Sequence, residues 1–119
     1  MEKRELGSWG EERAAHYLRL HGYRIVNMNY RCRMGEIDII AQNRKYIVFV
    51  EVKLRKSAAF AEAKEIVTRA KQQRVMTTAQ MWLGFHETEL QPRFDVIEVY
   101  IPDGLLGRVR INHIEDAFI

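Results

Sequence analysis

The stretch GEIDIIAQNRKYIVFVEVK, Gly35–Lys53, decides the fold. Two runs rich in β-branched and aromatic residues, Glu36–Ala41 and Tyr46–Leu54, flank a short polar turn at Asn43-Arg44, the pattern of an antiparallel hairpin. Yet Glu36, Asp38, Glu51 and Lys53 interrupt these apolar runs, and every ionised side chain costs free energy to desolvate. Something has to repay that cost.

Alternation along a strand sets Glu36, Asp38 and Ile40 on one face of the first strand, and Ile47, Phe49, Glu51 and Lys53 on one face of the second. Whether the two sets meet depends on parity. A turn with an even number of residues, such as Asn43-Arg44, puts Asp38 opposite Phe49 and diagonal to Glu51 on the same face. An odd number would put the two acids on opposite sides of the sheet. With the even turn, adjacent carboxylates repel and raise each other's pKa unless a cation lies between them. Mg²⁺ (or Mn²⁺), a hard ion that takes oxygen ligands and keeps several waters, suits Asp38, Glu51 and the backbone carbonyl of Val52. Lys53, on the same face as Glu51, can hold an attacking water or offset charge developing on a phosphate. These are the parts of a phosphodiester-cleaving site. A solvated ladder of cross-strand ion pairs accounts for the same residues equally well.

Outward from the hairpin, Leu6, Trp9, Ala14, Tyr17, Leu18 and Leu20 recur at helical spacing before Gly22, which predicts an amphipathic helix over Leu6–His21. Tyr23–Tyr30 reads as a strand leading into a basic turn with Arg31, Arg33 and Gly35. Beyond the hairpin, Thr68 is the N-cap of a second helix reaching Phe85, with Val75, Thr78, Ala79 and Trp82 on its inner face. Arg93–Ile101 and Gly107–Ile114 are further strands. The order is α, β, β, β, α, β, β. That is an α/β chain of α+β-like order, two main helices packed on a mixed sheet, with no βαβ repeat.

A chain of 119 residues with 47% hydrophobic content and no Pro/Gly/Ser linker reads as one domain over 1–119. Cys32 is the one cysteine and has no partner for an internal disulfide, and the four histidines lack metal-ligand spacing. No apolar run approaches the ~20 residues that span a bilayer, and the charged start is not followed by a signal-peptide core. The expectation is a cytoplasmic protein with no membrane partner. Nineteen Lys+Arg against 16 Asp+Glu give a net charge of +3, which permits a polyanionic partner without requiring one.

The segments GEIDII and VFVEVK resemble the two halves of the PD-(D/E)XK nuclease signature, with Asp38 and Glu51 at its acids and Lys53 at its lysine. More widely, GSWGEERAAHYLRLHGYRIVNMNYRCRMGEIDII, VFVEVK, VTRAKQQR and RFDVIEV are similar, from Gly7 almost to the C-terminus, to the YraN-like family. The resemblance implies the fold of archaeal Holliday-junction resolvases, a restriction-endonuclease-like αβββαβ core. It also implies a Mg²⁺-dependent endonuclease that hydrolyses phosphodiester bonds of DNA, branched or junction DNA included. Resolvase-like members carry a glutamate on the first helix, and the matching position is Glu11, a further catalytic residue and metal ligand by that likeness. On a ~100° helical step Glu11 lies beside Leu18 at the margin of the apolar stripe, whereas Glu12 falls on the exposed side. A solvated first-turn carboxylate favoured by the helix dipole is the other reading of Glu11. Ile37 stands where the signature's name has proline, and Glu36, at the start of its strand, ranks below Asp38.

Basic residues flank these acids: Arg31 and Arg33 before Gly35, Arg55 and Lys56 after Lys53, and Arg69, Lys71 and Arg74 at the start of the second helix. Together they would hold nucleic-acid phosphates with little sequence reading, and Lys71 and Arg74 face the apolar margin. Singly, each reads as ordinary surface charge. Trp9, Tyr23, Tyr30 and Phe60 read as core or loop anchors. Two classes stay open: the nuclease, and a catalytically silent nucleic-acid-binding or assembly module on the same fold. RNA is a weaker alternative substrate, and the two-fold symmetry of a junction suits a homodimer.

Overall fold

The computed structural model describes residues 2–56 and 67–118; Phe60 lies outside them. Helix α1 spans Lys3–Leu20 and buries Gly10, Ala14, Ala15 and Leu18. It begins three residues before the expected Leu6, because Lys3–Glu5 are exposed and leave no apolar mark in the sequence. It stops at Gly22, whose φ of 87° lets the Tyr23 N–H return to the Leu18 carbonyl at 3.0 Å.

Strands β1 (Arg24–Cys32), β2 (Gly35–Gln42) and β3 (Tyr46–Arg55) form an antiparallel meander. Helix α2 (Arg69–Phe85) carries the chain to β4 (Gln91–Tyr100), parallel to β3, and β5 (Arg110–Ile114) closes the sheet antiparallel to β4. The sheet order is β1-β2-β3-β4-β5, a mixed sheet between two helices. Among the described residues no helix is long and apolar enough to cross a membrane.

The α1 face buries Ile39, Ala41, Val48, Val50, Ile97 and Val99. The α2 face buries Ile37, Ile40, Ile47, Phe49, Val75, Ala79 and Trp82, with the Phe49 ring stacked on Phe94 and edge-on to Trp82. Thr68 caps α2 by accepting the Lys71 N–H at 3.1 Å. Trp9 and Tyr23 anchor the first core and Tyr30 the second.

Two departures from regular geometry shape the rest. The turn between β2 and β3 sits at Arg44-Lys45, one residue later than Asn43-Arg44. Asn43 takes the first position, where its side-chain oxygen accepts the Lys45 and Tyr46 N–H groups at 2.9 and 2.8 Å. The turn is still even, but the register becomes Ile39↔Val50 and Ile40↔Phe49. Continued one residue past the end of the ladder, that register points Asp38 toward Glu51 instead of Phe49.

The second departure is a break in alternation. Ile37 and Ile40 pack on the same face although their spacing should separate them, and Met28 and Tyr30 divide between the two faces although theirs should not. The break falls at Asn29 and Asp38, which face each other across the β1–β2 pair in the register Met28↔Ile39, Tyr30↔Ile37. Asn29 has φ 54°, a left-handed conformation that asparagine tolerates better than most side chains. Strict alternation therefore misplaces Asp38: it belongs fully to neither face.

Candidate functional site

At this break the β2–β3 ladder ends with Ile39↔Val50, and the Asp38 carboxylate takes over from the backbone, its Oδ2 accepting the Val52 N–H at 2.8 Å. An oxygen at that distance from a strand N–H lies near the plane of the sheet, in the gap between the parting strands. It can be approached from both helices. Glu11 arrives from α1 beside Asp38 and the Asn29 side chain, close enough for both to act on its carboxyl. Glu51, 6% exposed, arrives from β3 on the α2 face that Ile47 and Phe49 share. Its Oε1 lies 3.6 Å from the Lys53 Nζ and 3.6 Å from the Lys71 Nζ.

The electrostatics follow from this crowding. Burial and then the charge of Asp38 push Glu11 up to about 7, against the opposing hydrogen bond from Asn29. Burial also holds Asp38 above the usual carboxylate range, although the Val52 N–H and the Lys71 charge oppose it. Glu51 is raised by burial and by Asp38, and Lys71 and Lys53 pull it back. A hydrogen bond between two carboxyl groups needs a proton, and Glu11 holds it near neutrality. With that proton on Glu11, the charges of Asp38 and Glu51 stand against those of Lys53 and Lys71, two against two, and burial still raises both acids.

The other expected residues divide. Arg31 pairs with Glu36 at 3.1 Å, both exposed, so Glu36 acts on the acids at a distance and belongs to the rim. Arg33, Lys56, Arg69 and Arg74 are exposed, free to meet solvent or a polyanion. Arg55 is a correction: it is 6% exposed and its guanidinium lies on Glu98, Nε at 3.0 Å and Nη2 at 2.9 Å from Oε2. A strand residue pointing inward cannot serve as a surface phosphate contact. Lys71 reaches the acids as well as the surface, its Nζ 3.6 Å from the Glu51 Oε1 and its side chain part-exposed.

Sequence reasoning passed over Asn29, whose signal is an asparagine inside an apolar strand run, VNMNY, where a left-handed residue is needed. It also passed over a buried network on β4. Asp95, fully buried, accepts Arg93 Nε at 2.9 Å and Nη2 at 2.7 Å, His113 Nε2 at 2.6 Å and the Asp116 N–H at 3.0 Å. These partners hold its carboxyl below the usual range despite its burial. Two charged residues at i and i+2 in RFDVIEV were the available signal. This network ties β5 and the segment after it to β4 and lies on the α1 face, whereas Glu51 belongs to the other.

Residues 10–99 match the family described as "Uncharacterised protein family UPF0102", so the matched region contains Glu11, Asn29, Asp38, Glu51, Lys53 and Lys71. Similar proteins include a UPF0102 protein of Caldanaerobacter subterraneus subsp. tengcongensis, 44% identical over 99% of this chain and 98% of the relative. Another, from Caldicellulosiruptor bescii, is 44% identical over 99% of this chain and 100% of the relative. A third, from Alkaliphilus oremlandii, is 45% identical over 97% of this chain and 98% of the relative. By the family match and by these full-length likenesses, the chain belongs to the UPF0102, or YraN-like, family.

Proposed function

We propose that this protein is a metal-dependent phosphodiester hydrolase acting on DNA, built on a restriction-endonuclease-like αβββαβ core. One observation carries the reading: Glu11, Asp38 and Glu51 converge from three elements on the gap where β2 and β3 part, beside Lys53 and Lys71. The element order and the mixed sheet with its parallel β3–β4 pair are consistent with such a core. A location with the cell's nucleic acid, the cytoplasm, goes with it.

The donor set fits a hard divalent cation. All three side chains offer oxygen and burial raises all three, with the Asp38 charge adding to the rise of Glu11 and Glu51, so a cation would favour their ionised forms. Asp38 and Glu51 would hold it, with Glu11 and the Val52 carbonyl as further oxygens. When bound, Mg²⁺ supplies a Lewis acid for a phosphate oxygen and a more acidic water. The chain's own groups do the rest. The Val52 N–H fixes the rotamer of Asp38, and Asn29 and Asp38 orient Glu11. Lys53 can orient a water or meet negative charge on the phosphate. Arg33, Lys56, Arg69 and Arg74 supply affinity that is independent of sequence.

The test is incubation of purified protein with linear, nicked and four-way-junction DNA, and with RNA, in Mg²⁺, Mn²⁺ or EDTA. Cleavage in the metals alone, lost in Asp38→Asn and Glu51→Gln while both variants fold and bind DNA, is the expected result. Failure of the wild type to cut under any divalent ion, or undiminished cutting by Glu51→Gln, would overturn it. A silent binding module is then the better reading. One observation favours that alternative: among the described residues no three His, Cys, Asp or Glu side chains stand close enough to cage an ion by themselves. Mg²⁺, however, commonly takes one or two protein carboxylates and completes its shell with water.

A further inference from the structure

Lys71 enters the acidic gap from the crossover helix, and its position is unfavourable for that helix. The first turn of α2 contains no acidic residue and carries Arg69 and Lys71, although the positive end of the helix dipole disfavours cations. The backbone there is fixed, since Thr68 accepts the Lys71 N–H. The side chain stretches to Glu51 and meets the same Oε1 as Lys53, at the same 3.6 Å. That is an ion-pair distance, beyond a good hydrogen bond. Its charge acts on Asp38 as well.

The two lysines differ in how they are held. Lys53 follows Glu51 on β3 by two residues and is confined to the strand's own face. Lys71 has the same flexible stem and nearly the same exposure, 30% against 24% for Lys53, but hangs from a separate element. It can leave the carboxylates for solvent without disturbing the sheet. Arg74, exposed and three residues on, neighbours Lys71 on the surface of the helix, so a polyanion that reaches one can reach the other.

Resting on the metal-dependent reading above, we propose that Lys71 is an exchangeable counter-ion: it neutralises Glu51 and Asp38 in the resting site, yields to the divalent cation, and turns to a phosphate of the nucleic acid. Ammonium and metal then compete for the same carboxylates. A phosphate that draws Lys71 away removes the competitor, so DNA and metal each tighten the other's binding, reciprocally as linkage requires. Lys71 is a positioning residue in this scheme, and binding measurements expose it without turnover.

The experiment titrates Mn²⁺ into the wild type, Lys71→Met, Lys71→Gln, Lys71→Arg and Glu51→Gln, reading free Mn²⁺ by electron paramagnetic resonance. Each titration is run with and without a phosphorothioate duplex, which carries the backbone charge and resists hydrolysis. Lys71→Met and Lys71→Gln should bind Mn²⁺ roughly tenfold more tightly than the wild type. Lys71→Arg, which keeps the charge, should stay near the wild type. The duplex should tighten Mn²⁺ binding more in the wild type than in Lys71→Met, and the metal-free duplex should bind Lys71→Met less well. Equal or weaker Mn²⁺ binding by both neutral variants, with wild-type binding intact and lost in Glu51→Gln, overturns the exchange and leaves the hydrolase reading standing. Mn²⁺ binding that ignores Glu51→Gln, or that is absent from every variant, removes the metal site and both proposals with it.

Discussion

Glu11 makes the crowding of the acidic gap measurable without any assay of activity. Its carboxyl is raised from 4.5 to about 7, chiefly by burial and next by the Asp38 charge. The folded protein therefore keeps a proton that the unfolded chain releases between those two values. Stability then falls as pH rises through that window, and the loss is complete above the folded value. A pKa difference of this size corresponds to about 3 kcal/mol. Glu11 is only partly enclosed, so screening by solvent brings the expected effect to on the order of 1 kcal/mol. Glu11→Gln keeps the shape and a hydrogen-bond donor toward Asp38 and has nothing to titrate. Urea unfolding of both proteins at intervals from pH 5 to pH 8 is the assay. Groups shared by the two proteins largely cancel in the difference, including the histidines and the Asp95 network. The variant should gain on the wild type as pH rises, by about 1 kcal/mol at pH 8, or about 3–5 °C in Tm. Saturating Mg²⁺ should narrow the gap by stabilising the wild type. Parallel curves at all pH values would refute the claim that Glu11 holds a proton against Asp38.

Four further outcomes follow from the geometry. Asp95→Ala should destabilise by about 3–5 kcal/mol in urea unfolding, because it leaves the Arg93 guanidinium buried without its bidentate partner; a loss under 1 kcal/mol would show that its other contacts, Nη2 to the Tyr23 hydroxyl at 2.7 Å and Nη1 to Glu115 at 3.4 Å, suffice for Arg93. Gly35→Ala should cost about 1–3 kcal/mol, since Gly35 has φ 146° and an added Cβ would come within 2.9 Å of the Thr78 hydroxyl; thermal melting reads it. Arg33→Ala and Arg74→Ala should leave stability unchanged and reduce the salt slope of DNA binding by about one per lost phosphate contact. Arg55→Ala should instead lower stability, and a pure affinity defect there would contradict its burial on Glu98.

Much of this protein is legible without coordinates, for a local reason. Periodicity, the stop at Gly22 and the cap at Thr68 act over a few residues, so the order αβββαββ and the inner face of α2 can be read in a linear pass. The even turn between β2 and β3 is likewise a local property, and it sets the parity of the pairing, with Ile40 against Phe49. Tertiary structure decided what depends on contacts between distant segments. The exact position of the turn is not among these, since Asn43 shifted it by one residue through bonds to N–H groups only two and three residues on, a local signal that moved the register from Asp38 against Phe49 to Ile40 against Phe49. Asn29 turned left-handed opposite Asp38, and that broke the alternation on which face assignments rest. Arg55 and Lys71 look alike as basic residues beside an acidic hairpin. Only the packed chain tells them apart, because a guanidinium on an inward-facing strand position finds a buried carboxylate, whereas an ammonium on a flexible stem at a helix start reaches the acids from outside.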